Sequence, residues 1–206
     1  MGKVDALSLA NYIIANQVGQ RTVIYPYVEG EIKRLEQEGV WGEETTAFLE
    51  EFLFFEDDYA YIYKDIGDQP VWDLGCQLGF GSLFFSQYTG VDFDLNDSNW
   101  FNSHRGGVKY IKSNALTLKD DLVNQVIICN MVAGFFGEDT KDDEWLHIIE
   151  QSKSFSGRVH RRIYERLNPK YVTQLAEYDE DPMVRFISPL ITYTPGKLND
   201  NWVELL

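Results

Sequence analysis

The chain has 206 residues, with 44% hydrophobic and 25% charged side chains, and this excludes wholesale disorder. Its 33 acidic residues outweigh 18 basic ones, for a net charge of −15. That sign argues against gripping a phosphate backbone or an anionic membrane, because counterion release needs a cationic surface. The charge is uneven: residues 1–70 hold 14 acids and 5 bases, net −9, while residues 71–206 hold 19 acids and 13 bases, net −6.

Residues 1–67 are expected to form a helical N-terminal extension and residues 68–206 an α/β domain. Ile13, Ile14, Val18 and the run Val23–Tyr27 predict one or two short helices broken near Pro26, and Glu29–Glu38 has the Glu/Lys spacing of a solvated helix face. Phe48, Leu49, Phe52, Phe55 and Tyr59 recur at three- and four-residue steps, with Glu50, Glu51, Glu56 and Asp57 between them. That is an amphipathic helix whose aromatic stripe packs on the domain that follows or serves as a lid.

From Pro70 the texture changes. Val71–Leu74 is a short apolar strand running into glycines at 75, 79 and 81, and Ser82–Phe85 reads as a short helix. Further strands are expected at Thr89–Asp92, Val108–Ile111, Leu122–Cys129 and Tyr171–Leu175. Met183–Tyr193 and Trp202–Leu206 would close the chain as a hairpin about Pro195-Gly196. Asp142–Ser152 reads as a helix burying Trp145, Leu146, Ile148 and Ile149, followed by a basic helix over Arg158–Leu167 stopped by Pro169. Strands alternating with helices predict a mostly parallel sheet covered on both faces.

Ligands of such sheets bind at the carboxyl ends of the strands, where strand order reverses. Asp73-Leu74-Gly75-Cys76-Gln77-Leu78-Gly79 belongs at such a point, and Asp92, 19 positions after Asp73, ends the next strand, where a carboxylate can take ribose hydroxyls. Residues 68–206 resemble the class I S-adenosylmethionine-dependent methyltransferases. The loop resembles that family's D-L-G-C-G-x-G. Tyr88-Thr89-Gly90-Val91-Asp92 is similar to its second-strand G-V-D, Ser113-Asn114-Ala115 to its G-D-A, and Val126–Met131 to its fourth strand. The resemblance implies a Rossmann-like three-layer sandwich with a seven-stranded sheet and a C-terminal antiparallel hairpin. It implies S-adenosylmethionine as cofactor and S-adenosylhomocysteine as product. Gly75, Cys76, Gln77 and Gly79 would line the methionine moiety, and Asp73 would hold the loop near the amino group. Asp92 would take the ribose, Phe93 would stack on the adenine, and Asn114 with Ala115 would read its edge. Asn130 would line the pocket at the end of the fourth strand. Gln77 and Asn114 depart from the family's usual Gly and Asp.

No catalytic base stands out. Of the three histidines, His104, His147 and His160, the first two are expected in surface or packing roles, and Cys129 as a small apolar strand residue. Cys76 and Cys129 are too far apart in sequence, and wrongly spaced, for a zinc knuckle or disulfide framework. Arg158, Arg161, Arg162, Arg166 and Lys170 against Glu165 make a local +4, either a contact for a phosphate, a carboxylate-bearing substrate or an acidic partner, or a solvated face pairing with Asp142, Asp143 or the acidic run Glu177–Asp181. The acceptor expected from the charge is a small molecule or a protein side chain. The alternatives are a non-catalytic protein of the same fold whose acidic surface engages a basic protein partner, and a nicotinamide-dependent oxidoreductase. The latter fits G-x-G-x-x-G less well, since Gly79-Phe80-Gly81 is followed at the third glycine position by Phe84. With no basic N-terminal segment ahead of an apolar run, and no apolar stretch long enough to span a bilayer, a cytoplasmic location is expected.

Overall fold

The computed structural model describes residues 5–15, 33, 37, 56–77, 79–93, 102–133, 141–176 and 188–200. Its core is one seven-stranded sheet: β1 (Val71–Leu74), β2 (Tyr88–Asp92), β3 (Val108–Lys112), β4 (Val126–Ala133), β5 (Ser154–Val159), β6 (Val172–Ala176) and β7 (Leu190–Tyr193). The spatial order is β3-β2-β1-β4-β5-β7-β6. The pairs β1–β2, β2–β3, β1–β4 and β4–β5 are parallel, and β7 runs antiparallel to both β5 and β6.

On one face lie α1 (Ala6–Ala15) and α2 (Glu56–Ile66). Asp5 starts α1 by accepting the Ser8 amide at 3.2 Å and the Ser8 hydroxyl at 2.9 Å, a capping arrangement that satisfies an orphan helix donor. α1 buries Leu9, Ala10 and Ile13 in one cluster with Tyr59, Ala60 and Ile62 of α2, Val71, Phe85 and Tyr88. On the opposite face, α3 (Asp142–Gln151) and the single turn α4 (Arg161–Tyr164) bury Ile148, Ile149 and Ile163 against Leu74, Val91, Ile127, Phe155 and Ile191. Trp145 and Leu146 pack against that cluster only partly buried. Asp142, Asp143 and Glu144 occupy the first turn of α3, the sign that the helix dipole favours there.

Several expected elements move. The fourth strand runs 126–133 rather than 122–129, because Asn124 takes a left-handed φ of 58° in a turn before it. The basic helix expected from Arg158 is instead β5 followed by α4. Gly157 lies so close to the Cys129 carbonyl of β4 that any Cβ would collide with it, which lets β5 pair tightly there. Arg158 is therefore a strand residue. Pro169 opens a 3-10 turn, Pro169–Tyr171, whose Lys170 amide is capped by Asn168 Oδ1 at 3.1 Å, and β6 begins after it. Within the described residues the C-terminal antiparallel pairing is that of β7 with β6 and β5; Trp202–Leu206 and residues 183–187, on which the expected hairpin about Pro195-Gly196 also rests, lie outside the described residues. The helix expected at Ser82–Phe85 is a 3-10 turn, Phe80–Leu83. Phe48, Leu49, Phe52 and Phe55 also lie outside the described residues, whereas Tyr59 packs on the sheet as the stripe predicted. Of 29–38, Lys33 and Gln37 are described, both helical and exposed.

Candidate functional site

In this sheet β1 sits between β2 and β4, so the chain leaves β1 toward one side and later returns to its other side. This is the switch point at which strand ends diverge and open a crevice. The turn leaving β1 is anchored to β2. The amides of Gly75 and Cys76 both donate to the Val91 carbonyl, at 2.8 and 3.2 Å, and the Gly79 amide closes the turn on the Cys76 carbonyl at 2.8 Å. Gly75 and Gly79 have φ of 70° and 77°, and Gln77 has 46°. At Gly79 glycine is needed twice over: for its φ, and because a Cβ would collide with the Tyr110 hydroxyl from β3. Gln77 takes the same left-handed region with a side chain, at a cost of about 1 kcal/mol. Its amide donates to Asp92 Oδ2 at 3.0 Å, so the loop and the acid ending β2 are brought together.

Asp73 is fully buried beneath this loop. Its Oδ2 accepts two hydroxyls, from Tyr59 of α2 at 2.7 Å and from Tyr88 of β2 at 2.5 Å. Its Oδ1, equally buried, has no hydrogen-bond partner among the described residues. Burial pushes the Asp73 carboxyl up to about 7, even though the hydroxyls of Tyr88 and Tyr59 pull it down. The same burial, with Asp73 nearby, raises both tyrosines and the Cys76 thiol well above their usual values, so Cys76 stays a neutral thiol. Cys129 is likewise a buried, neutral strand residue.

Phe93 follows Asp92 and is 69% exposed. The Ser113 amide donates to the Asp92 carbonyl at 3.0 Å, tying the end of β3 to that of β2. Asn114 is exposed and caps the 3-10 turn Ala115–Leu118: its Oδ1 accepts the Leu116 amide at 2.9 Å. The side-chain carbonyl expected on an adenine edge is thus engaged with the chain itself. Ala115 is half-buried beside it. Asp73 pairs with Ile128, which puts Asn130 level with Gly75 on the neighbouring strand, where the β4–β5 register shifts between Cys129 and Ala133. Nine of the ten expected positions thus fall near the carboxyl ends of β1–β3 or in the turns that follow them, and Asn130 lies within β4.

The basic cluster is elsewhere and is paired. Arg158 makes a buried two-pronged bridge to Asp58 of α2, Nε–Oδ2 2.5 Å and Nη2–Oδ1 2.7 Å. Arg161 pairs with Glu165, Arg162 with Asp142 and Arg166 with Asp143. The solvated-face alternative therefore describes α4. His104 and His147 are exposed, and His160 Nδ1 accepts the Arg162 amide at 3.2 Å as the α4 cap. No group of three or more His, Cys, Asp or Glu side chains that could hold a metal occurs among the described residues, and no helix there is long and apolar enough to cross a membrane.

Sequence reasoning missed the two hydroxyls on Asp73. A signal was present in Tyr59 and Tyr88, since a buried tyrosine carries an O–H that needs an acceptor.

Six strands in one direction, with the seventh inserted antiparallel between β5 and β6, together with the glycine loop after β1 and the acid ending β2, define the class I methyltransferase fold. No protein-family model matches the chain, and no curated protein matches it. Among solved structures, the bifunctional kinase-methyltransferase WbdD aligns over 66% of the chain at 15% identity and a TM-score of 0.46; the chain spans only 37% of its length. The methyltransferase domain of a bacterial Hen1, CtHen1-CN, aligns over 65% of this chain and 93% of its own, at 14% identity and a TM-score of 0.39. The N-terminal domain of EvdMO1 with SAH bound aligns over 68% and 66%, at 15% identity and a TM-score of 0.38.

Proposed function

We propose that the chain binds S-adenosylmethionine across the carboxyl ends of β1 and β2 and transfers its methyl group to a small molecule or a protein side chain. The observation that carries this reading is the bond between the Gln77 amide and Asp92 Oδ2, which sets the glycine loop and the acid ending β2 face to face at the switch point. A carboxylate offers about four acceptor positions, enough for the loop amide and a pair of ribose hydroxyls together. Asp73 Oδ1 is a buried acceptor with no partner among the described residues, and an ammonium or its bound water would satisfy it. Phe93 presents an open aromatic face beside Asp92 for a base to stack on. When bound, the cofactor supplies a methyl group already activated on a sulfonium. The chain's own task is to hold donor and acceptor in line within roughly 3–3.5 Å, which does not demand an acid–base set. Asn130 stands on β4 beside this end of the sheet, where an acceptor would approach. The net charge of −15 favours a neutral or cationic acceptor over a polyanion.

A second reading, a non-catalytic protein of this fold that binds a basic partner, draws support from Asn114. With Oδ1 capping Leu116, it offers an adenine chiefly its amide donors. The nicotinamide reading is weakened by the sheet: dinucleotide-binding domains continue past the fifth strand with a parallel sixth, whereas here β7 is interposed antiparallel.

Thermal unfolding with S-adenosylmethionine, S-adenosylhomocysteine and NAD separates the three. At 100 times its dissociation constant a ligand stabilises by about 2.7 kcal/mol. The expected result is a shift with both sulfur ligands, none with NAD, and loss of the shift in Asp92→Ala. Absence of any shift with the sulfur ligands would sink the methyl-transfer reading.

A further inference from the structure

α2 precedes the glycine loop in sequence, yet it supplies one of the two hydroxyls on the loop's buried acid. The other comes from the first residue of β2. Both land on the same oxygen of Asp73, and both donors are themselves fully buried, so neither can be replaced by water without opening the core. We propose that the Tyr59 and Tyr88 hydroxyls are a clamp that holds Asp73 Oδ2 beneath the loop and favours the carboxylate over the acid, and that α2 thereby acts as a positioning element for the cationic amino end of the ligand; this rests on the methyl-transfer reading.

The argument is one of charge and reach. A buried carboxylate far from water needs donors to stay ionised. The titratable groups that act on Asp73 from the surrounding elements are Tyr59 of α2, Cys76 of the loop, Tyr88 and Asp92 of β2, Tyr110 of β3 and Cys129 of β4. All are acids. The tyrosines and cysteines are held neutral by burial, and Asp92 opposes a second negative charge. The two hydroxyls are what favours the anion. Oδ2 takes both, and Oδ1 is left as the acceptor for a cationic donor. A protonated Asp73 would offer that donor a far weaker partner. A hydrogen bond to a charged group is worth about 1.5–3 kcal/mol, or roughly a ten- to hundredfold change in proton affinity.

Two measurements test this on the full chain. Difference infrared spectra, each protein against Asp73→Asn, follow the protonated carboxyl band with pH. The band should vanish through about 7 in the wild type and at distinctly higher pH in Tyr59→Phe and in Tyr88→Phe. Calorimetric titration with S-adenosylhomocysteine then reads the consequence. Affinity of the wild type should rise with pH through the same range. Tyr59→Phe should bind about fivefold or more weakly near neutral pH and recover toward the wild type in alkali, where both carboxyls are ionised. The ligand's own titration cancels in the ratio of wild type to variant. An unmoved infrared midpoint in both variants overturns the clamp. A moved midpoint with a variant-to-wild-type affinity ratio that is constant with pH overturns its role in binding and leaves Tyr59 a packing residue. Failure of the wild type to bind at any pH, with the infrared midpoint moved, overturns the methyl-transfer reading and the positioning role that rests on it.

Discussion

The two faces of the sheet are held by different chemistry. Under α1 and α2 the interface mixes aromatic packing with polar ties: buried ones from Asp58 to Arg158 and from Tyr59 to Asp73, and a half-buried one in which the exposed Asp65 accepts the Thr192 hydroxyl at 2.6 Å, Thr192 in turn meeting Ser156 at 2.9 Å. Asp58, Tyr59, Ile62, Asp65 and Ile66 share one stripe of α2, so that helix presents charge and hydroxyl to the sheet along with carbon. Under α3 and α4 the contact is almost wholly apolar, and the ion pairs sit outside it at the solvent edge. An apolar interface tolerates sliding and substitution. A buried polar one accepts a single registration and is penalised when any partner is removed. The face that touches the candidate site is the one fixed this way.

The contrast is broken most sharply at Arg158. Arg158→Ala leaves Asp58 charged and buried, and should lower stability by about 3–5 kcal/mol in chemical denaturation. Replacing both, Asp58→Leu with Arg158→Met, should recover most of it, and a double variant as unstable as the single one would show that the pair does more than neutralise itself. Next comes Asp73. Its folded value of about 7 lies above the unfolded 3.8, so the folded state holds the extra proton between those values. That contribution is full below the unfolded value and is lost as pH rises through 7, at up to about 1.4 kcal/mol per pH unit. Asp73→Asn should flatten this decline in urea-melt stabilities taken across the range; an unchanged slope would locate the titration elsewhere. Asp142, on the other face, behaves oppositely. The Arg162 guanidinium holds its carboxyl down, so its smaller contribution is present above the ordinary carboxylate range and disappears toward acid.

The site's own strain gives a smaller effect. Gln77→Gly should raise stability by up to about 1 kcal/mol, since it removes a side chain from a left-handed turn, and a lower melting temperature would mean the glutamine is held by contacts worth more than the strain. The smallest effect belongs to the outer pairs. Arg161 and Glu165 are each 62% exposed, and Arg161→Ala should change stability by less than about 1 kcal/mol.

These differences also explain what the sequence disclosed. β1, β2 and β3 are short apolar runs that end in glycine, acid or polar residues, and their roles follow from local pattern alone. The loop and Asp92 stand out in the sequence for the same reason. β5 was missed because Ser154-Phe155-Ser156-Gly157-Arg158-Val159 looks like the start of a basic segment. Arg158 is inside only because Asp58, 100 residues earlier, meets it, and no window of sequence contains both. The two hydroxyls on Asp73 are hidden likewise: 14 and 15 residues separate donors and acceptor, across different elements. The cap made by Asn114 is legible in the sequence, since an asparagine opening a helical turn readily accepts the backbone amide two residues on.

The pairing of Asp58 with Arg158 also orders events in time. At about 5–20 residues per second, a ribosome delivers Arg158 roughly 5–20 s after Asp58, given the 100 residues between them. Throughout that interval α2 has no counter-charge for its buried face and no β5 or β7 to lie on. The N-terminal helices are therefore made well before the strands that complete their polar contacts. A nascent chain halted before Ser154 should leave α2 open to protease, and one extended past β7 should close it.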